Sequence, residues 1–322
     1  RIVKVAQQQP HAVLPQKRRR DGGMIVKHPL RAKQAEHIEL PCCIRYRRTQ
    51  RARLFIIRIC PALHKGGFFL AVHLAITPAA LARLDRAPEL PLVHVAYAVD
   101  ESGCLARTRA PEAPHGGLMG LIDRCALTLP RADALCRAIV NECRAHGHRG
   151  VLADFDAACP ADRLPFLTRL ARALSARGLP LYCPLALPAE GAVLLVGTAV
   201  SGGSLRALLE SAVSRYGANR LALDLERVQM DFPLPCPTGC GTPLTRSELL
   251  ALRRQHPSSV YYARELMANY FTYTDGDSGH FVLFDDAGTL RQKRRLAQSL
   301  GIQEAFLMYP EVADILPELA QL

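Results

Sequence analysis

Tryptophan is absent from the 322-residue sequence, so any flat apolar surface offered to a ligand must come from its 9 Tyr and 10 Phe. No stretch approaches the roughly 18 consecutive apolar residues that cross a bilayer. The best candidate, Phe68 to Ile76, is interrupted by His73, and no membrane partner is expected. Acidic residues are nearly missing from positions 1–68, which hold 3 Asp and Glu against 16 Lys and Arg, a net of +13. Of the chain's 41 basic and 29 acidic residues, that leaves 25 and 26 for residues 69–322, a net of −1. The formal +12 therefore belongs to the start of the chain alone, and the remainder carries no basic field to attract nucleic acid.

Residues 1–68 also lack any hydrophobic period: Gln7 to Gln9, Lys17 to Arg20, the Cys42 and Cys43 pair, and Arg45 to Arg58 follow without alternation or helical spacing. A basic arm for nucleic acid or acidic lipid is one reading. The preferred reading is a disordered or non-native extension. The sequence begins at Arg1 rather than Met, and Lys65, Gly66 and Gly67 are what a purine-rich ribosome-binding run would encode in frame. That places the expected native start near Leu70, with a single domain over residues 69–322.

Cysteine is neither scarce nor arranged as a framework. The 11 thiols are an odd number, scattered along a chain long enough to bury a core without staples, which fits a reducing cytosol. Cys236 and Cys240, in CPTGC, would make half a zinc site or a strained disulfide, but no second CxxC or HxxxH completes four ligands. No metal or cofactor is expected. Phe68 to Ala82 mimics a signal peptide, yet its removal would cost a strand that the architecture needs. A cytoplasmic location is preferred to a secreted one.

From Leu70 onward, short apolar runs alternate with amphipathic segments as repeated βα units. Eight strands are predicted, at 70–76, 92–99, 117–123, 150–156, 179–187, 192–200, 220–226 and 305–309. Helices are predicted over Ala132 to His146, Leu164 to Ala176, Leu205 to Tyr216 and Thr289 to Leu300, with Asp162 and Ser204 as caps. This is the rhythm of an α/β chain folded as a (β/α)8 TIM barrel rather than a doubly wound sheet. A small α+β insertion, near residues 227–287, falls between strand 7 and helix 7. Within it Tyr261 to Phe284 reads as extended segments around a turn at Asp275, Gly276 and Asp277. Insertions at that point rise over the carboxyl-terminal mouth, where barrel active sites are built.

Four acids fall at the carboxyl ends of strands. Asp154 and Asp156 lie two apart in strand four, and Asp224 and Glu226 do the same in strand seven, so each pair shares one side of its strand. Acids there are costly to bury unless something uses them. They either cap the next helix or meet Arg149, Arg220 or Arg227, or they form a general-acid site. Carboxyls roughly 5 to 10 Å apart suit cleavage of a glycosidic bond.

These residues resemble glycoside hydrolase family 18, in particular its chitinase-like and spore-associated peptidoglycan hydrolase-like members. The resemblance covers most of residues 70–315. LVHVAYAVDESGCL, with Tyr97, resembles the family's second strand, and HGHRGVLADFD occupies the place of its DGxDxDxE motif. HFVLFDDAGTLRQKRRLAQSLGIQEAFLM matches its closing aromatic strand, acidic turn, Lys-bearing helix and eighth strand. The resemblance implies that Asp156 takes the place of the acid/base Glu and Asp154 that of the Asp that steers the substrate's 2-acetamido group.

The motif is eroded. Arg149 and Leu152 stand at its first two Asp positions, and Asp156 is one methylene short, setting its carboxyl roughly 1.5 Å back. Thr198 and Ala199 replace a Tyr-Asp pair on the sixth strand, and Met308 replaces the Trp floor, with Tyr309 reachable only by a one-residue slip. Without Trp, processive cleavage of polymeric chitin is not expected.

Three readings follow. The preferred one is a catalytically degenerate barrel, a pseudoenzyme that binds an N-acetylhexosamine-containing glycan through Tyr97, Asp224, Glu226, Met308 and Tyr309. The second is an active, diverged glycosidase with Asp156 as acid and Asp154 beside it, acting on chitooligosaccharides or peptidoglycan. The third is a retaining pair of Asp156 with Glu226 or Asp224. Tyr261, Tyr262, Tyr270 and Tyr273 either line a sugar groove or, by preference, pack a small core of the insertion. A spore-associated or secreted location is the alternative to the cytoplasm.

Overall fold

The structure, a computed structural model, describes residues 70–84, 89–108, 114–124, 131–155, 160–236 and 239–319, apart from the side chains of 160–162. The basic segment 1–68 and Asp156 lie outside the described residues.

The chain runs through β1 (Ala71–Ile76), α1 (Pro78–Leu81), β2 (Leu92–Val99), β3 (Leu105–Arg107), β4 (Leu118–Asp123), α2 (Ala132–Ala145), β5 (Val151–Asp154), α3 (Pro160–Ser175), β6 (Leu181–Pro184), β7 (Val193–Gly197), α4 (Leu205–Tyr216) and β8 (Leu221–Asp224). It then leaves for β9 (Gln229–Leu234), β10 (Thr242–Pro243), α5 (Arg246–Gln255), β11 (Tyr261–Ala263), β12 (Ala268–Asp275) and β13 (Ser278–Phe284). It returns through α6 (Ala287–Ser299) to β14 (Glu304–Met308), and closes with α7 (Tyr309–Val312) and α8 (Leu316–Leu319).

Eight parallel strands, in the order β1, β2, β4, β5, β6, β7, β8, β14 and back to β1, form a closed ring. It is a (β/α)8 barrel with its insertion after the seventh barrel strand, β8. β3 is a short antiparallel addition to β2 outside the ring.

Period-2 alternation divides each strand between two cores. Leu74, Leu121, Val151, Leu194 and Leu223 point outward to the helices, where they meet Ile139 of α2, Leu170 of α3 and Leu209 of α4. Ala75, Val93, Leu118, Leu152, Tyr182, Leu195, Ala222 and Phe306 fill the barrel. Because both faces are buried, the strands read in sequence as near-continuous apolar runs.

All eight predicted strands are present, but β5, β6, β7, β8 and β14 end one to three residues before their predicted carboxyl ends, with single ladder-like bonds continuing from Leu185, Thr198 and Leu225. Ser204 caps α4 by accepting from the Ala207 amide. α3 begins at Pro160, two residues before Asp162; proline suits a first helical position because its missing N–H is not needed there.

The insertion is a five-stranded antiparallel sheet in the order β10, β9, β13, β12, β11. The predicted turn is a two-residue hairpin, with Asp275 opposite Ser278 and Gly276 at φ 56°. Helix α5 was not predicted, although Thr245 and Glu248 form a capping box that the spacing Thr-x-x-Glu announces. It covers one sheet face through Leu249, against Phe271, Val282 and Phe284. On the other face Tyr261, Tyr270, Phe281 and Phe232 form a ladder of rings, with centroids 5.6, 4.9 and 6.3 Å apart. Tyr270 and Tyr273 pack within the insertion, whereas Tyr261 and Tyr262 are exposed.

Asp285, which is fully buried, ties the insertion to the barrel. Its carboxylate accepts from Lys293 Nζ at 2.7 Å, Thr289 Oγ1 at 2.7 Å and the Val228 amide at 2.9 Å. Lys293, 1% exposed, also donates to the Thr198 carbonyl beyond β7. Removing one partner of such a pair strands the other charge. Asp285→Ala should cost about 3–5 kcal/mol in urea unfolding. The double change Asp285→Leu with Lys293→Met should recover most of that loss, because no buried charge is left uncompensated.

Candidate active site

The carboxyl ends of the barrel strands bring acids together. Asp224 ends β8, in register with Gly197 of β7 and Phe306 of β14, and alternation from Ala222 turns it into the barrel. Asp154 ends β5, two residues beyond the inward-facing Leu152, and is exposed. Glu226 lies just past β8, its carboxylate over Gly197. A Cβ at Gly197 would stand 2.7 Å from Glu226 Oε2, so a larger residue there would push that carboxylate aside.

A fourth acid, Glu311 of α7, joins this set, with its carboxylate accepting from the Arg227 amide at 3.2 Å. It was missed in the sequence because it follows the last strand in what reads as a tail. Its only signal is its place, three residues after Met308.

The group that these neighbours act on most is Asp224. Burial raises its carboxyl well above the ordinary 3.8, and the charges of Glu226, Glu311 and Asp154 push it further in the same direction. A carboxyl so placed gives up its proton less readily than an ordinary aspartate.

Arg220 donates to the Ala189 and Ala192 carbonyls. Arg227 donates to the Asp285 and Glu311 carbonyls and to Asp314. At the end of β4, Asp123 meets Arg163 of α3 at 2.6 Å, with both side chains 2% exposed. That pair ties the first turns of α3 to the end of β4.

Two of the predicted ligand contacts lie in the outer layer rather than in the barrel. Tyr97 does not face the mouth. A bulge between Val95 and Tyr97 shifts the register of β2 against β4, and the ring turns outward into the helix layer, where it is 1% exposed. There its hydroxyl donates to His148 Nε2 at 3.0 Å, and His148 Nδ1 donates to the Gly116 carbonyl at 2.6 Å. Burial pushes Tyr97 up to about 12 and lowers His148, so the pair holds neutral partners in one tautomer.

Tyr309 likewise begins α7 and packs against the outer core, so the one-residue slip is not realised. Met308 faces inward beside Phe306, as alternation requires.

The opposite end of the barrel holds polar groups that the sequence reading did not single out. His73 stacks on Phe306 with centroids 4.9 Å apart and lies 3.8 Å from Glu304, while Tyr182 meets Phe306 edge-on. Burial lowers His73, against the pull of Glu304, and raises Tyr182. Among the described residues, no group of three or more His, Cys, Asp and Glu is arranged to hold a metal ion, and no helix is long and apolar enough to cross a membrane.

No family model and no curated protein matches the chain. Solved structures match its fold. The spore cortex-lytic enzyme SleL of Bacillus megaterium QM B1551 aligns over 76% of this chain and 71% of its own, with a TM-score of 0.55 and 18% identity. A chitinase from Chromobacterium violaceum ATCC 12472 aligns over 74% and 93%, with a TM-score of 0.53 and 19% identity. The class V chitinase of Nicotiana tobaccum aligns over 78% and 98%, with a TM-score of 0.58 and 11% identity. At these identities the likeness is one of fold: the chain has a chitinase-like (β/α)8 barrel.

Two outcomes follow. Because Asp224 is raised in the folded state, it costs no stability below its unfolded pKa and progressively more as pH climbs toward its folded value. Asp224→Asn should therefore unfold at higher urea than the parent at pH 7.5, with the gap closing near pH 4. Tyr97→Phe should cost about 1–3 kcal/mol in the same assay, since it leaves His148 Nε2 buried without its donor.

Proposed function

We propose that this barrel acts on a glycan containing N-acetylhexosamine at its carboxyl-terminal mouth, and that Asp224 supplies the proton that breaks the glycosidic bond. The observation that carries the reading is the gathering of Asp224, Glu226, Glu311 and Asp154 at the mouth, where burial and the neighbouring acids raise the Asp224 carboxyl. Pairs of acids whose surroundings drive their proton affinities apart divide into donor and acceptor roles. In this reading Asp224 donates to the leaving oxygen. The carboxylates facing it stabilise the positive charge that develops on the sugar ring, and water completes the hydrolysis.

The substrate class is suggested by the fold's company. SleL is named as a spore cortex-lytic enzyme and two of the other matches as chitinases. A structure of a variant of the tobacco chitinase is in complex with NAG4. A spore-associated setting for this chain would suit the same substrate.

The reading with Asp156 as acid rests on sequence alignment alone. A second reading, a barrel that binds the same glycan without cleaving it, draws on the shortened acid at position 156 and on Met308 where a broad ring would stack.

Purified protein incubated with chitooligosaccharides and muropeptides should release shorter products. Asp224→Asn should lower kcat about 100-fold or more with KM nearly unchanged, whereas Asp156→Ala should retain most activity. Equal turnover by Asp224→Asn would overturn the assignment. Calorimetric binding by the parent without any product would favour the silent barrel.

A further inference from the structure

The segment Cys236-Pro237-Thr238-Gly239-Cys240 joins β9 to β10, and the glycan chemistry has no use for it. Both cysteines are present as thiols, Cys236 half-buried and Cys240 exposed. Cys236 packs against the sheet face of Val228, Phe232 and Leu283, which holds it in place. The Gly239 amide donates to the Cys236 carbonyl at 3.1 Å, and Gly239 stands at φ 65°. Cys236 Sγ donates to the carbonyl oxygen of Cys240 at 3.4 Å. One thiol is already seated on the backbone of the other, across a loop anchored at both ends in the inserted sheet.

We propose that Cys236 and Cys240 are a redox-active dithiol that closes to a disulfide, with a small-molecule disulfide such as oxidised glutathione as the oxidant. Cys240, the exposed member, gives up its proton and attacks one sulfur of the oxidant. That S–S bond breaks, one small thiol leaves, and a mixed disulfide remains on Cys240. Cys236 then loses its proton and attacks the Cys240 sulfur, forming the internal bond and expelling the second small thiol. Two protein thiols give up two electrons, the oxidant takes them, and the two protons end on the released thiols.

The other buried cysteines do not compete. Burial pushes Cys136 to about 11, Cys143 to about 12 and Cys183 to about 11, leaving them little of the thiolate that exchange requires.

The test uses the full chain, reduced and then equilibrated without air in buffers of stepped reduced-to-oxidised glutathione ratio, alkylated, digested and read by peptide mass spectrometry. As the ratio turns oxidising, the fragment holding both cysteines should lose both alkyl groups together and run about 2 Da below its dithiol mass. Cys136, Cys143 and Cys183 should stay alkylatable after denaturation. Cys236→Ser should instead trap glutathione on Cys240, because the resolving thiol is gone. Alkylation of both cysteines at every ratio would overturn the proposal, as would a lasting glutathione adduct on Cys240 in the parent or a link from Cys240 to any other cysteine. None of these outcomes depends on whether the mouth cleaves glycan.

Discussion

Everything at the mouth depends on one buried carboxylate. Asp285 is withdrawn from water completely, as is Lys293, and the two meet at 2.7 Å. Such a pair gains little over apolar packing of the same volume, because desolvating both ions offsets their attraction. What it supplies is geometry. The ions reach four places at once: the segment after β7 through Thr198, the entrance of the insertion through Val228, its exit at Asp285 itself, and α6 through Thr289 and Lys293. A strand arrangement that slipped by one residue would leave a charge buried alone, and that penalty selects a single register for the returning chain. Arg227, bonded to the Asp285 carbonyl and to the Glu311 carbonyl, carries the same constraint to the segment after β14.

That constraint explains why acids are tolerated above it. Like charges crowded at one end of a barrel repel, and the fold must hold them against that repulsion. Asp224 is held by the ladder between β7 and β14, Glu226 by the space that Gly197 leaves, and Glu311 by the Arg227 amide. Backbone contacts thus take part in placing Asp224 and Glu311. The repulsion is felt most at Asp224, whose carboxyl burial and its neighbours raise above the ordinary value.

The barrel was legible because its signal is local. A strand buried on both faces is a run of apolar residues, and a helix packed on it repeats at three to four residues, so LVHVAYAV and the Leu205 to Tyr216 helix could be bounded from the sequence alone. The site was legible only in part, since its features arise between segments far apart in the chain. Asp154, Asp224 and Glu226 were visible as acids ending apolar runs. Glu311 was not, because its approach to Asp224 depends on β14 lying beside β8. Tyr97 was misplaced because nothing in AYAV marks the bulge, which comes from matching β2 to β4. Tyr309 was misplaced by treating the strand end as free to slip, when the inward packing of Phe306 and Met308 fixes which residue faces the barrel.

The missing tryptophan takes a more definite meaning in three dimensions. Beneath the acids the barrel is filled by Phe306 between His73 and Tyr182, rings that stack on one another and present edges and polar atoms instead of one broad open face. Met308, on the inward side at the mouth, is a flexible thioether rather than a platform. A pyranose at this mouth would gain less from stacking than from hydrogen bonds to carboxyls. Hydrogen bonds to buried acids are directional and discriminate by the placement of hydroxyl and amide groups, whereas stacking tolerates sliding along a polymer. On the proposed reading, the same residues suit a short glycan whose polar groups meet these acids better than a long, uniform chain.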